Sequence, residues 1–144
     1  MTATPASSAP ARPRATGSGP GRVLVAVYGV LGIAATARSA VQLSQHFQDA
    51  PLAYLLSALA ATVYLVATAA LARGMRRTAW LTVSVELVGV LAVGALSVAL
   101  PDLFPDETVW SRFGSGYGFV PLVLPVLGLL WLRRTGAPGA ASAR

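Results

Sequence analysis

The sequence predicts an all-α membrane protein: a bundle of four transmembrane helices with both termini in the cytoplasm. Three observations carry this. The chain is 55% hydrophobic and only 11% charged, where a soluble domain carries about 25% charged residues. Its apolar residues gather in four long runs with almost no charge inside them. Its basic residues, all arginine, sit between and beside those runs rather than along one face. The same composition excludes several chemistries. With no cysteine there is no disulfide, thiolate nucleophile or thiolate metal site. One histidine builds no histidine metal centre. A pI near 11 can signal nucleic-acid binding, but arginines that flank apolar runs fit a membrane better. No cofactor and no nucleic-acid partner are expected.

Residues 1–21 hold Ala, Pro, Ser, Thr and Gly with Arg12 and Arg14, and no apolar period. They read as a disordered cytoplasmic tail. The membrane domain is expected over 22–134. Span one covers about 23–44. Its start also resembles a signal peptide, with Ala35-Thr36-Ala37 as a cleavage site. Val41, Leu43 and Phe47 keep the segment apolar past that site, which argues for an anchored helix. Span two, 52–72, opens behind Pro51, a residue favoured in the first helical turn. The short link before it makes spans one and two a hairpin. A basic loop with Arg73, Arg76 and Arg77 leads into span three, 78–100, which is interrupted only by Glu86.

Residues 101–118 form the longest connection, with Asp102, Asp106 and Glu107 in its first half and Trp110 and Arg112 after them. Pro105-Asp106-Glu107 predicts one short helix ending near Phe113, since acids favour a helix N-terminus. Trp110 and Phe113 are then expected at the membrane interface. Span four, about 117–132, carries Pro121 and Pro125 and should kink. Residues 135–144 are a short tail. Gly116-Tyr117-Gly118 echoes a potassium-channel filter. Gly114-Ser115 precedes it, however, and the acid-rich segment before makes a poor pore helix, so it reads as a flexible entry to span four.

Arginine placement sets the orientation. Arg12, Arg14, Arg22, Arg73, Arg76, Arg77, Arg133, Arg134 and Arg144 fall on one side of the four-span topology, against Arg112 on the other. The positive-inside rule places the first group in the cytoplasm.

Two charges lie inside the apolar runs. Arg38 is roughly 24 Å beyond Arg22 at 1.5 Å per residue, near the outer edge of a core about 30 Å thick. It either snorkels to the headgroups or pairs with an outer-loop acid or an anion. Arg38, Gln42, Gln45 and His46 read as a polar stripe on one side of the helix, with the small row Gly32, Thr36, Ala40 and Ser44 opposite. A helix with both stripes has little surface left for lipid, so span one is expected at the centre of the bundle. Glu86 is the sharper site, roughly 13 Å past Arg77 and too deep to snorkel. An acid at that depth is either neutral or paired, and is a functional candidate by default. Tyr64 lies at the same depth and is the expected partner. Interhelical hydrogen bonding competes with proton, ion or ligand handling as its role.

Three stretches are similar to known sequences when taken together. They are Thr36-Ala-Arg38-Ser-Ala-Val-Gln-Leu-Ser with Pro51-Leu-Ala-Tyr-Leu-Leu-Ser-Ala, then Phe104-Pro-Asp with Val109-Trp-Ser, then Gly116-Tyr-Gly-Phe-Val-Pro-Leu-Val-Leu-Pro-Val-Leu-Gly. Across residues 23–134 the chain resembles a group of small four-span integral membrane proteins of actinobacteria. The resemblance implies a bacterial inner-membrane protein and supplies no activity. The size also resembles DoxX-type proteins and small multidrug transporters. The latter carry their acid in the first span, not the third.

No nucleotide, zinc-protease, hydrolase or dinucleotide fingerprint occurs in the sequence. The leading expectation is therefore a non-enzymatic accessory or assembly protein. It would bind lipid, a membrane-protein partner or a second copy through span one and the 101–118 loop. The alternatives are a small proton-coupled transporter or channel using Glu86, and a component of a quinone- or lipid-handling membrane enzyme.

Overall fold

A computed structural model describes residues 19–136. The expected tails with Arg12, Arg14 and Arg144 lie outside the described residues. Four helices follow one another: α1 (Gly19–Gln45), α2 (Pro51–Ala72), α3 (Arg76–Ala99) and α4 (Val120–Gly136). Two 3-10 segments, Pro101–Leu103 and Ser111–Tyr117, separate α3 from α4. Among the described residues there is no strand. Residues 19–21, expected in the tail, form the first turn of α1.

The helix ends follow from local chemistry. Pro51 starts α2, where its missing N–H costs nothing. Gly74 ends α2 at φ 67°, a left-handed conformation that glycine adopts without a Cβ clash. From there Met75 N–H bonds the Ala70 carbonyl at 2.8 Å and Gly74 N–H the Leu71 carbonyl at 3.3 Å. This pair is the Schellman pattern, and it satisfies carbonyls left open at the helix end. Arg76 then reaches across to α4, donating to the Leu132 carbonyl and to Thr135 Oγ1 at 3.1 Å. A cation there is favourable at a helix C-terminus. It also ties the α2–α3 loop to the end of α4, so that Arg73, Arg76, Arg77, Arg133 and Arg134 share one end of the bundle.

Around the bundle the order is α1, α2, α3, α4, each packed on the next, with only light contact between α1 and α4. α1 and α3 are therefore diagonal. The α1–α2 seam is close because Gly32 faces Leu65 and Gly29 faces Thr68. α2 answers with the buried alanines Ala53, Ala60, Ala61, Ala67 and Ala70.

α1 is not central. Val23, Val30 and Ile33 are 62%, 66% and 69% exposed, which leaves it a wide apolar face for lipid. Its buried residues are Gly21, Leu24, Tyr28, Gly32, Ala35, Ser39 and Gln42, a single seam stepping by three and four. The two stripes expected on opposite sides thus contribute one member each to the same seam. The physical reason is rotation. A strict four-residue row turns about 40° per step around a 100°-per-residue helix. Packed antiparallel helices follow a 3.5-residue period instead. Thr36, Ala40, Ser44, Gln45 and His46 are left exposed.

The fourth corner of the bundle is built in two pieces. α4 has 17 residues, about 25 Å of helix, while α1, α2 and α3 have 27, 22 and 24. The remaining outer part is filled by the segment around Ser111–Tyr117, which packs on α3 and on the start of α4. Three helices are long and apolar enough to cross a membrane, and a fourth span exists if this bent pair counts as one. The bend between the pair is 99°. It falls at Gly118 and Phe119, both at φ 61°, ahead of the prolines that were expected to set it. Pro121 sits in the first turn of α4, against Gly114.

Candidate functional site

The short helix expected over 105–113 does not form. Side chains take its backbone bonds instead. Asp106 Oδ1 accepts from Glu107 N–H at 2.8 Å. Thr108 Oγ1 accepts from Trp110 N–H at 3.0 Å, and Ser111 Oγ accepts from Thr108 N–H at 2.9 Å. Such short polar side chains compete with helical bonding. They fold the loop into a plug that turns back between the helices.

Trp110 is the tip of this plug. It was expected at the interface, but it is 2% exposed and points into the bundle. Its ring lies over Gly89 of α3, where a Cβ would come within 2.7 Å of the indole. Gly89 is twelve residues past Arg77, roughly 18 Å into the bundle. One turn and a half further out, Phe113 lies on Gly94, whose absent Cβ would meet the Phe113 ring at 2.5 Å. Ser97 Oγ accepts from Arg112 N–H at 2.8 Å. Irregular backbone at this depth is tolerated only when protein groups satisfy it, and Thr108, Ser111 and Ser97 do so.

Below the plug lies the polar core. Glu86 is fully buried. Its Oε2 accepts from Tyr28 Oη at 2.6 Å, a bond that crosses the α1–α3 diagonal. Its Oε1 has no hydrogen-bond partner. Tyr28 Oη lies beside Gly128 of α4, 3.4 Å from where a Cβ would be, so all three helices close on this hydroxyl. Tyr64, the expected partner, is adjacent without bonding Glu86. Its ring centroid is 6.3 Å from that of Tyr28, tilted 52°, and its Oη accepts from Trp110 Nε1 at 3.0 Å.

Side-chain direction explains the exchange of partners. Helical side chains lean toward their own N-terminus. On α3 that carries Glu86 toward the arginine end. On the antiparallel α2 it carries Tyr64 the other way, up to Trp110. Equal Cα depth therefore did not identify the contact. Tyr28 was not among the expected site residues, because nothing in its spacing within span one marks it as the donor.

The remaining candidates form a second, outer layer. Arg38 is half-buried and donates through Nη1 to Tyr117 Oη at 3.1 Å and through Nη2 to the Glu107 carbonyl at 3.3 Å. It thus holds the outer loop, though through a hydroxyl and a carbonyl rather than a carboxylate. Gln42 Nε2 donates to Asp106 Oδ2 at 3.3 Å. His46 pairs with Asp49 at 3.2 Å, away from the loop. Gln45 and Asp102 are exposed. Arg112 and Glu107 form a loose exposed ion pair at 3.9 Å. Within the α1–α2 seam, Ser39 Oγ, Ser57 Oγ and Gln42 Oε1 are buried without partners.

Comparison with protein-family models, curated proteins and solved structures gives no match. What the fold itself defines is a class. The chain is an all-helical protein with three to four apolar helices of membrane-spanning length, as in an integral membrane protein, and it encloses a polar core under an inserted loop.

Proposed function

We propose that the chain is a four-span protein of a bacterial inner membrane, with both termini cytoplasmic. In this reading it works as a non-enzymatic accessory or assembly subunit that binds lipid, a membrane-protein partner or a second copy. One observation carries the reading. The loop over 101–119 is fastened to α1 by Arg38 and Gln42 and to α2 by Trp110. It thereby leaves Asp102, Leu103, Glu107 and Arg112 exposed at the outer end of the bundle. A surface held in shape before binding loses less entropy when a partner docks.

The arginine-rich end supports the orientation through the positive-inside rule. Reporter fusions after Ala50 and near Asp106 should read periplasmic, and fusions at Arg76 and Arg144 cytoplasmic. A cytoplasmic signal at Asp106 would sink the four-span topology. For the role itself, the protein is purified natively in mild detergent and its partners are identified by mass spectrometry. A specific companion retained by wild type and lost with Arg38→Ala, at unchanged protein level, is the expected result. The same companions with both proteins would reject the loop as the binding surface.

A second reading, a small proton-coupled transporter or channel, is favoured by the unpartnered Glu86 Oε1. Flux in proteoliposomes that depends on a proton gradient and disappears in Glu86→Gln would replace the first reading with this one.

A further inference from the structure

We propose that Glu86 is a proton-binding site reached from the acidic end of the bundle, and that the plug carrying Trp110 gates access to it. The inference concerns how the site exchanges with solvent, and it holds whether or not the protein transports anything.

The chemistry begins with one carboxyl group. Glu86 Oε2 receives the Tyr28 hydroxyl proton, while Oε1, equally buried, meets no donor and no acceptor. A bare carboxylate at this depth would lack a counter-charge. The titratable groups that face it are Tyr28 from α1 and Tyr64 from α2. α4 brings Gly128 to the Tyr28 hydroxyl, and its charged residues Arg133 and Arg134 lie exposed at the far end. The plug brings Trp110, which is uncharged, with Tyr117, Glu107 and Arg112 further out. An isolated buried charge is costly enough that the group neutralises instead. A neutral carboxyl leaves one polar group unpaired where a carboxylate would leave a charge unpaired, the smaller of the two costs.

The geometry supplies the gate. Gly89, under the Trp110 ring, is one helical turn from Glu86 on the way out. The indole therefore lies about one turn outside the acid, and its N–H holds Tyr64. The plug is held by side-chain bonds, glycine-sized grooves and short backbone turns, not by a continuous helix. Its backbone carries a stored cost. Arg112 and Phe113 adopt consecutive left-handed conformations, at φ 49° and 61°, followed by Gly114 at 78°. Left-handed backbone is unfavourable for residues that carry a Cβ. Backbone strain of this kind clusters at switch segments, and Arg38 and Gln42 clamp the outer edge of the plug.

The test uses the full chain in lipid nanodiscs and reads the carboxylic-acid C=O band of Glu86 by infrared difference spectroscopy. The band is assigned by its loss in Glu86→Gln. The rate of its isotope shift after transfer to D2O measures access to the proton. The cysteine-free sequence permits an engineered lock, Ser97→Cys with Arg112→Cys, across the contact of the Ser97 side chain with the Arg112 backbone, its closure checked by intact mass.

The band should be present in wild type. Its shift should slow by roughly tenfold or more in the oxidised lock, as suppression of a local opening requires, and recover on reduction. Trp110→Phe, which keeps a ring but loses the bond to Tyr64, should speed the shift and gives the same reading without a disulfide. An absent acid band would overturn the proton site. Equal rates in locked and reduced protein, or in Trp110→Phe and wild type, would overturn the gate.

Discussion

Two seams of this bundle use the same device to different ends. Between α1 and α2, Gly32 and Gly29 let two regular helices approach along a 3.5-residue period. Between α3 and the plug, Gly89 and Gly94 admit the rings of Trp110 and Phe113 from a loop with no regular period. The first seam keeps every backbone bond inside its own helices. The second must borrow Thr108 Oγ1, Ser111 Oγ and Ser97 Oγ to satisfy its backbone. Helix against helix is a forgiving contact, because long side chains can shift. Loop against helix is unforgiving, because rigid rings and main chain fill the groove.

The sharpest way to break the comparison is to empty the groove. Trp110→Ala should destabilise by about 3–5 kcal/mol, as loss of a buried aromatic does, seen as a large fall in Tm in detergent. Filling the grooves ranks next. Gly94→Ala would place a Cβ 2.8 Å from the Phe113 backbone nitrogen and should cost about 1–3 kcal/mol. Gly32→Ala meets the tip of Leu65 at 2.9 Å, a side chain that can swing away, and should cost clearly less. Equal losses at the two positions would erase the distinction between the seams.

These contrasts also show what was legible from sequence. The helices were, because apolar runs, Pro51 and the basic loop at Arg73, Arg76 and Arg77 are local signals that tertiary packing did not override. The charge asymmetry was legible for the same reason. The plug was not. Pro105-Asp106-Glu107 carries a helix-start signal, and only the folded arrangement of Thr108, Ser111 and Ser97 diverts it. The site was half legible. Glu86 stood out by depth alone. Its partner did not, because Cα depth omits the lean of the side chain, and the bond to Tyr28 crosses between helices that hardly touch.

Smaller effects sharpen the roles of single polar groups. Glu86→Gln keeps the size of the side chain and can still accept from Tyr28 Oη, so it should leave Tm nearly unchanged. Glu86→Ala should lower stability by about 1–3 kcal/mol. A Gln variant as damaged as the Ala variant would mean that the acid itself holds α1 to α3. Arg38 is the mildest case. Arg38→Lys should be tolerated better than Arg38→Ala if reach to the outer surface is all that matters, since the lysine stem reaches the headgroups too and lacks only the planar fork. The two donor bonds to Tyr117 and Glu107 favour the opposite. We expect Arg38→Lys to lose about 1 kcal/mol, close to Arg38→Ala, from the hydrogen bonds broken, and thermal melts of the pair decide it.

The chain between α3 and α4 turns back into the bundle and does not run free over its surface. Single cysteines placed in the cysteine-free chain, at Asp102, Val109, Ser111 and Gly116, test it with a membrane-impermeant thiol reagent applied to folded protein. Asp102 and Gly116 are exposed, whereas Val109 and Ser111 are 1% and 4% exposed. The account predicts rapid labelling at 102 and 116 and protection at 109 and 111, with protection lost on unfolding. Equally rapid labelling at all four positions in folded protein would contradict it.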